Sequence, residues 1–288
     1  MRHLLLFISA CIISGPMLAG GGWNAGKGKG FFKLGQSVIV ADAYFTPTGE
    51  IIDITTIGMY TTSLYGEYGL GKRFDVIGYL PFYTRATLNE IAFSSGAPAV
   101  PGDAINSFGD ATLGFKYGLR QDGPWVLSAS LTFGLPLGKT ADGALTESGE
   151  PRIIETGDGE FNQMLRLDAS HSFYPSPAYF TAYVGVNNRT EGFSDEFRAG
   201  VQLGYRFSEH FSGSLRLDNV TSFQNGDPGG NGANSVFSNN TEYFSFTPEL
   251  AYHLNEAWGI SASGGFAFSA KRILAAPIWE AGIFFDLK

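Results

Sequence analysis

The feature that most constrains this chain is one β-hairpin with two long alternating arms, residues 109–119 and 125–135. A short turn rich in strand-breaking residues joins them at residues 121–124. Because successive side chains on a strand point to opposite faces, each arm has one apolar face and one small or polar face. The apolar parity holds Leu113, Phe115, Tyr117 and Leu119 in the first arm and Trp125, Leu127, Leu131 and Phe133 in the second.

The strands of a soluble β-sandwich show the same alternation, so three further features decide between a soluble sandwich and a transmembrane barrel. Each arm has roughly 10 to 12 residues, whereas soluble strands have ~5 to 6 and tilted membrane-spanning strands ~9 to 11. The polar face holds mainly Gly, Ser and Thr, where a water-exposed face carries more charge. Tyr117 and Trp125 flank the turn, where an interfacial ring of aromatic residues is expected. The hairpin therefore favours a transmembrane barrel.

The first residues predict a secretory signal peptide, residues 1–19. A charged start precedes an apolar run from Leu4 to Ile13, and small residues follow from Ala19. No later stretch offers ~18 consecutive apolar residues, so no transmembrane helix is expected. Only helices and closed barrels satisfy their backbone in lipid, so an exported membrane protein without such helices must be a barrel. Cys11, the only cysteine, lies in the predicted signal peptide, so the mature chain has no thiol chemistry.

The predicted fold class is all-β, a transmembrane up-and-down antiparallel β-barrel of about twelve strands in residues 31–288. A flexible periplasmic leader, residues 20–30, precedes it; its glycine repeat either belongs to the leader or reaches into the lumen. Short connections alternate with long ones, which is typical of periplasmic turns and outer loops and predicts both termini in the periplasm. The predicted strands cover residues 31–45, 56–70, 74–85, 109–119, 125–137, 161–173, 178–189, 195–207, 211–223, 241–254, 258–270 and 278–287.

Charged residues recur on the strand face that is predicted to point inward. Two interpretations stay open: facing acidic and basic groups filter solutes, or the charges pair and fill a narrow lumen. Any gate is expected from the leader or from the loops at residues 86–108 and 138–160. The predicted lumen-facing residues are Glu67, Asp75, Arg85, Lys116, Arg166, Asp168, Arg198, Arg206, Arg216, Asp218, Glu249 and Glu280.

The last predicted strand resembles the signal by which outer-membrane barrels are recognised for assembly. Its pattern of polar, any, Gly, any, any, aromatic, any, hydrophobic is met with Gly282, Phe285 and Leu287, although Lys288 follows it. We therefore expect the barrel assembly machinery as a partner, with outer-membrane lipid and lipopolysaccharide. The acidic loop at residues 138–160 is either a solvated loop or a site for divalent cations that bridge lipopolysaccharide.

Five stretches carry a family resemblance across nearly the whole mature chain. They are KGKGFFKL at residues 27–34, YLPFYTR at 79–85, GDATLG at 109–114, TGDGEFNQ at 156–163 and NNRTEGF at 187–193. They resemble the bacterial outer-membrane family labelled meta-pathway phenol-degradation proteins, also called transporter-like barrels. The resemblance implies passage of small compounds, aromatic or hydrophobic ones among them, across the outer membrane. It supplies no catalytic residue and no indication of phenol chemistry here.

We therefore expect a channel or transporter for passive uptake of a small-molecule solute across the bacterial outer membrane. The main alternative is a structural or surface-interaction barrel with a closed lumen. A lipid-active enzyme is the third alternative, because His210, Ser212 and Asn219 share residue types with a twelve-stranded outer-membrane phospholipase. However, the strand pattern sets His210 at a turn and Ser212 toward the lumen, so no enzyme is expected.

Several partners and cofactors are not expected. The formal net charge is -8 and no basic stripe would neutralise phosphates, which argues against nucleic acid. The sequence predicts no catalytic residue, no metal site and no cofactor.

Overall fold

The computed structural model describes residues 21–91, 99–145, 151–227 and 237–288. In this part of the chain, twelve strands close into one antiparallel barrel, so the predicted fold class is confirmed. The predicted signal peptide, residues 1–19, lies outside the described residues. None of the described residues forms a helix long and apolar enough to cross a membrane.

The strands follow one another along the chain, and β4, β7, β8 and β15 lie outside the ring of twelve. Their bounds are β1 Gly30–Phe45, β2 Ile51–Gly69, β3 Phe74–Leu88, β4 Asp103–Ser107, β5 Ala111–Arg120, β6 Trp125–Leu135, β7 Thr140–Leu145, β8 Pro151–Glu155, β9 Asn162–Ser172, β10 Ala178–Arg189, β11 Glu196–Arg206, β12 Phe211–Ser222, β13 Glu242–His253, β14 Trp258–Lys271, β15 Ile273–Leu274 and β16 Ile278–Leu287.

Strand β1 closes the ring, because it pairs antiparallel with both β2 and β16. Gly30 lies opposite Tyr68 on β2 and opposite Leu287 on β16. Elsewhere each barrel strand pairs with the next one, β3 with β5 and β6 with β9, since the strands between them belong to long connections. One end of the barrel therefore carries short turns and the other long connections. We call them the short-turn end and the loop end.

Side chains are distributed in the reverse of the pattern in a soluble protein. Leu165, Leu203 and Leu250 on the outer face are 57%, 54% and 65% exposed, whereas Asp75 and Ser170 inside are fully buried. Water would disfavour so much exposed apolar surface at roughly 25 cal/mol per Å². The outer face is therefore one that lipid must cover.

Aromatic side chains surround the short-turn end. Trp258 contacts Phe285 with ring centroids 4.7 Å apart, and Tyr205 contacts Phe207 at 5.3 Å. Trp125, which ends the turn of the hairpin on β5 and β6, packs on its neighbours in the same belt. Rings with an apolar body and a polar edge are typical of the membrane–water interface. This belt positions the short-turn end at such an interface.

The residues of the predicted assembly signal lie on β16, where the barrel closes. Gly282 is opposite Gly35 of β1, and Leu287 is opposite Gly30. Phe285 packs against Trp258 in the aromatic belt. The pattern therefore coincides with the strand that completes the ring.

A register shift corrects one prediction about the lumen. The β2/β3 ladder shifts between Thr62 and Leu64, and this changes the parity of the second half of β3. Thr84 is buried inside as a result, so Arg85 lies on the outer face, opposite Tyr60. The prediction that Arg85 faces the lumen is wrong, because strict alternation does not hold across an irregularity of this kind.

Candidate functional site

The barrel encloses a cavity of about 770 Å³. Its wall is apolar near the loop end, where Ile39, Val220 and Leu274 line it, and polar in its middle. Gly21 of the leader lines it toward the short-turn end. This volume lies within the ~300–1,000 Å³ that is usual for small-molecule sites. The cavity is therefore large enough for a solute with a single aromatic ring.

The predicted lumen-facing residues fall into separate groups on the inner wall. Arg206 lies near the short-turn end of β11, opposite Ser212. Arg85 alone among them lies outside. The remaining residues are Glu67, Asp75 and Lys116 on β2, β3 and β5; Arg166, Asp168, Arg198, Arg216 and Asp218 on β9, β11 and β12; and Glu249 and Glu280 on β13 and β16.

The first group holds the leader inside the barrel. The Asp75 carboxylate accepts hydrogen bonds from Asn24 Nδ2 at 2.8 Å and from the Ala25 backbone amide at 3.0 Å. Lys116 Nζ donates to the Trp23 carbonyl at 2.7 Å and is paired with Glu67. All three charged side chains are almost completely buried. Buried charges are stable only when paired and hydrogen-bonded, so the leader completes the shell of this cluster.

Further contacts fix the leader along the wall. The Gly22 amide donates to Ser170 Oγ at 2.8 Å, and Gln121 Nε2 donates to the Gly22 carbonyl at 2.7 Å. The Trp23 ring meets Tyr179 edge to face, with centroids 5.9 Å apart. Gly22 has no room for a side chain, because an added Cβ would lie 2.8 Å from the Val126 carbonyl oxygen. The leader therefore occupies the lumen near its short-turn end.

A second group forms three ion pairs on the β9–β12 wall, each within one strand. Arg166 contacts Asp168 through Nε and Nη2, and Arg198 contacts Glu196 in the same way. Arg216 Nε lies 2.9 Å from Asp218. Partners two residues apart on a strand share one face, so each pair lies on the inner wall. Sequence analysis found five of these six charges and left open whether they pair, but it did not identify the partners.

A third group lies on the part of the wall formed by β1, β13 and β16. Lys33 Nζ is 2.6 Å from Glu280 and 3.6 Å from Glu249. Lys33 was not among the predicted site residues, since the polar residues of β1 fall on both parities. Gln36, on the other parity, is exposed on the outer face, where it accepts a hydrogen bond from Thr62 Oγ1 at 2.7 Å. Lys33 lies on the face of β1 that points into the lumen.

Arg189 forms the centre of a cluster at the loop end that sequence reasoning missed. Its guanidinium contacts Asp158 at 2.8 Å, Glu160 at 2.6 Å and Glu196 at 3.0 Å, and it lies 4.3 Å above the Phe193 ring. We call these five residues the rim cluster. Arg189, Asp158 and Glu160 belong to two of the stretches that carry the family resemblance, which was the available signal.

Asp110, from a third such stretch, joins the rim cluster to the loops. Its carboxylate accepts hydrogen bonds from the Gly138 amide at 2.8 Å and the Asp158 amide at 2.6 Å. Burial, followed by the side-chain hydrogen bond to Asp110, raises the pKa of Asp158 to about 7. Two carboxyl groups that share a site cannot both ionise freely. This point of the rim therefore responds to pH near neutrality.

The two long loops that sequence analysis names as possible gates contact each other. Arg152 Nη1 donates to the Pro101 carbonyl at 3.2 Å, and the Ala144 amide donates to Asp103 at 2.9 Å. Thr156 Oγ1 donates to the Phe108 carbonyl at 2.8 Å. The described parts of these loops are therefore held together above the barrel.

The residues of the enzymatic alternative do not assemble into a catalytic group. Ser212 Oγ lies 3.0 Å from Nε2 of His253, while His210 Nδ1 contacts the His253 carbonyl. Asn219 instead donates to the carbonyl of Tyr243 on the neighbouring strand. Within the described ranges, no group of three or more His, Cys, Asp or Glu side chains is arranged to hold a metal ion.

The closed ring, the lipid-facing exterior and the polar lumen together define a β-barrel of the outer-membrane type. Residues 37–276 match the protein family described as "Putative MetA-pathway of phenol degradation", so the chain belongs to that family. None of the curated proteins matches the chain significantly.

Solved structures share the architecture at low sequence identity. An outer membrane channel from Pseudomonas putida is 13% identical with a TM-score of 0.66, over 94% of this chain and 100% of that one. The NanC porin is 9% identical with a TM-score of 0.53, over 89% and 100%. The β domain of the Bordetella autotransporter BrkA is 14% identical with a TM-score of 0.53, over 91% and 100%. These likenesses show the fold.

Proposed function

We propose that this protein is an outer-membrane channel for the passive uptake of small molecules, including aromatic or hydrophobic compounds. The observation that carries the proposal is the lumen cavity, which is apolar near the loop end and charged in its middle. Several modest binding sites in series allow a solute both to enter and to leave, as conduction requires. Membership of the family and the likeness to the Pseudomonas outer membrane channel support a role in transport.

In this proposal the short-turn end faces the periplasm, and so do both termini. The leader then lies at the exit of the pathway, and the paired loops lie at its entrance. The barrel assembly machinery recognises β16, and lipid and lipopolysaccharide surround the outer face. The protein performs no catalysis, because transport through this lumen needs only binding and release.

One observation favours a second candidate, a closed barrel that acts through its loops. The leader makes several hydrogen bonds inside the lumen, and these would block it if they never break. The two candidates differ in whether solute passes when the leader is absent.

Planar bilayer recording on two proteins tests the proposal. One lacks residues 1–19, and the other lacks residues 1–29 and hence the leader. A channel gives stable ohmic steps that become larger without the leader, and liposome swelling with a small neutral sugar increases in parallel. Heat-modifiable gel migration establishes that both proteins are folded. Folded protein that is silent in both forms would contradict the channel and favour the closed barrel.

A further inference from the structure

The three ion pairs on the β9–β12 wall share an orientation that pairing alone does not require. In each pair the guanidinium reaches into the cavity and the carboxylate is withdrawn into the wall. The side chain of Arg166 is 32% exposed and that of Asp168 3%. Arg198 is 37% exposed and Glu196 4%. Arg216 is 52% exposed and Asp218 17%. A solute in the cavity therefore meets guanidinium groups on this wall.

These guanidinium groups keep unused hydrogen-bond donors. Arg166 and Arg198 bind their carboxylates through Nε and Nη2, and within the described ranges Nη1 of each has no acceptor. Arg216 contacts Asp218 through Nε, and neither of its terminal nitrogens donates a hydrogen bond to the described part of the chain. A planar guanidinium with free N–H groups matches the geometry of a carboxylate and binds it by two parallel hydrogen bonds.

The carboxylates on the other charged part of the wall share a single cation. Lys33 lies between Glu249 and Glu280 and contacts both. A cationic solute would have to compete with this lysine, which is already in place. On the β9–β12 wall, the unused hydrogen-bond capacity is thus for an acceptor, and an anionic group is the strongest one.

Apolar surface adjoins the guanidinium groups. Val220 lies opposite Arg198 on the β11/β12 ladder, and Ile39 and Leu274 continue the apolar wall toward the loop end. The Tyr183 ring lies beneath Arg166, with the guanidinium carbon 3.7 Å from the ring centroid. An inorganic anion would leave this apolar surface uncovered. A ligand with an anionic head and an apolar body fills both parts of the cavity.

We propose that the lumen binds small organic carboxylates with an apolar body, and aromatic monocarboxylates above all. The carboxylate accepts hydrogen bonds from the free Nη groups of Arg198 or Arg216, and the ring lies against the apolar wall near Val220. The inference rests on the proposed channel function and specifies its solute class. It concerns binding in the lumen, which is measurable whether or not the barrel conducts.

Equilibrium dialysis with radiolabelled benzoate tests this on the folded protein without its signal peptide, in detergent, against protein-free micelles. Unlabelled benzamide, benzylammonium, phenylalanine and inorganic phosphate serve as competitors. Benzamide has the size and shape of benzoate without the charge. We expect unlabelled benzoate to displace half of the label at a concentration about tenfold or more below that needed with benzamide. Phosphate and benzylammonium should displace it poorly.

The informative variant is Arg198→Gln combined with Arg216→Gln. It leaves both buried carboxylates with a partner, because Glu196 retains Arg189 at 3.0 Å and Asp218 retains the Tyr183 hydroxyl at 2.7 Å. Benzoate affinity is expected to fall about tenfold or more, while benzamide affinity stays within about twofold of its value in the parent protein. Arg85→Gln, which removes the same group from the outer face, is the matched control and leaves both affinities unchanged. Heat-modifiable migration confirms folding of each variant.

The outcomes separate this inference from the channel itself. Equal competition by benzamide, or unchanged benzoate affinity in the double variant, overturns the carboxylate site. Stronger competition by phenylalanine assigns the lumen to zwitterions, and equal competition by phosphate makes the apolar body irrelevant; either result overturns it as well. Bilayer recordings on the same preparations report conduction independently. Ohmic steps without benzoate selectivity would leave the channel standing, and benzoate binding in a silent barrel would refute only the channel.

Discussion

Replacing Asp75 by asparagine measures how firmly the leader is held in the lumen. The carboxylate accepts two hydrogen bonds from the leader, from Asn24 Nδ2 and the Ala25 amide. A hydrogen bond to a charged group contributes ~1.5–3 kcal/mol and one to a neutral group ~0.5–1.5 kcal/mol. Asp75→Asn therefore weakens docking by about 2 kcal/mol, which is an increase of about 30-fold in the undocked fraction. Lys116 keeps its pairing with Glu67, so the wall itself remains paired.

The assay is thiol labelling at Ala25→Cys in protein without residues 1–19, which also removes Cys11, the only native cysteine. A membrane-impermeant maleimide reacts when the leader undocks, so its rate follows the undocked fraction. We expect the Asp75→Asn background to label about 30-fold faster. Asp122→Asn is the matched control, because that side chain is 92% exposed in a turn at the same end. Labelling rates within about twofold of each other would refute the reasoning that Asp75 holds the leader.

Three further predictions concern stability. Arg189→Ala removes a cation that three carboxylates share, of which, among the described residues, Glu196 alone keeps a second one, Arg198. This should cost about 3–5 kcal/mol, seen as a lower urea midpoint in liposomes; an unchanged midpoint would contradict the role of the rim cluster. Gly204→Ala should cost about 1–3 kcal/mol, because the new Cβ would overlap the Tyr179 ring; an unaltered melting temperature opposes this. Burial and Asp110 raise the pKa of Asp158 from 3.8 to about 7, so its protonated form stabilises the rim at low pH, and this stability declines as pH rises from near 3.8 to about 7. Loop proteolysis should therefore increase over that range in the parent and stay flat in Asp158→Asn; equal profiles would exclude Asp158 as the cause.

The barrel strands could be predicted because each carries its own alternating pattern. On β13, Glu249 faces inward as expected, on the same side as the buried His253, while Phe244 and Leu250 are exposed on the outer face. The short strands β4, β7 and β8 could not be predicted, since loop segments pair only after the barrel has brought them together. Arg85 was misplaced because the irregularity on β3 between Leu80 and Tyr83 changes the parity of the residues that follow it; Pro81, which lies within it, was the available signal.

The site was harder to predict than the fold. Inward-facing charged residues could be found from strand parity, but parity does not show which member of an ion pair is exposed to the cavity. The withdrawn position of Asp168 beside Arg166 depends on packing across several strands. The leader is similar, because a segment rich in glycine gives no local sign that Ser170 and Asp75 bind its backbone. These contacts join residues that are far apart in the sequence.

The pairing of β1 with β16 has a consequence for how the barrel forms. The strands that complete the ring are the first and the last, so this ladder brings together segments separated by nearly the whole chain. Closing so large a loop carries an entropic cost that the earlier hairpins avoid, and folds dominated by such contacts form slowly. The leader directly precedes β1, and its partners on β3, β5 and β9 surround it only once the ring is shut. Closure of the ring therefore completes the wall around the leader.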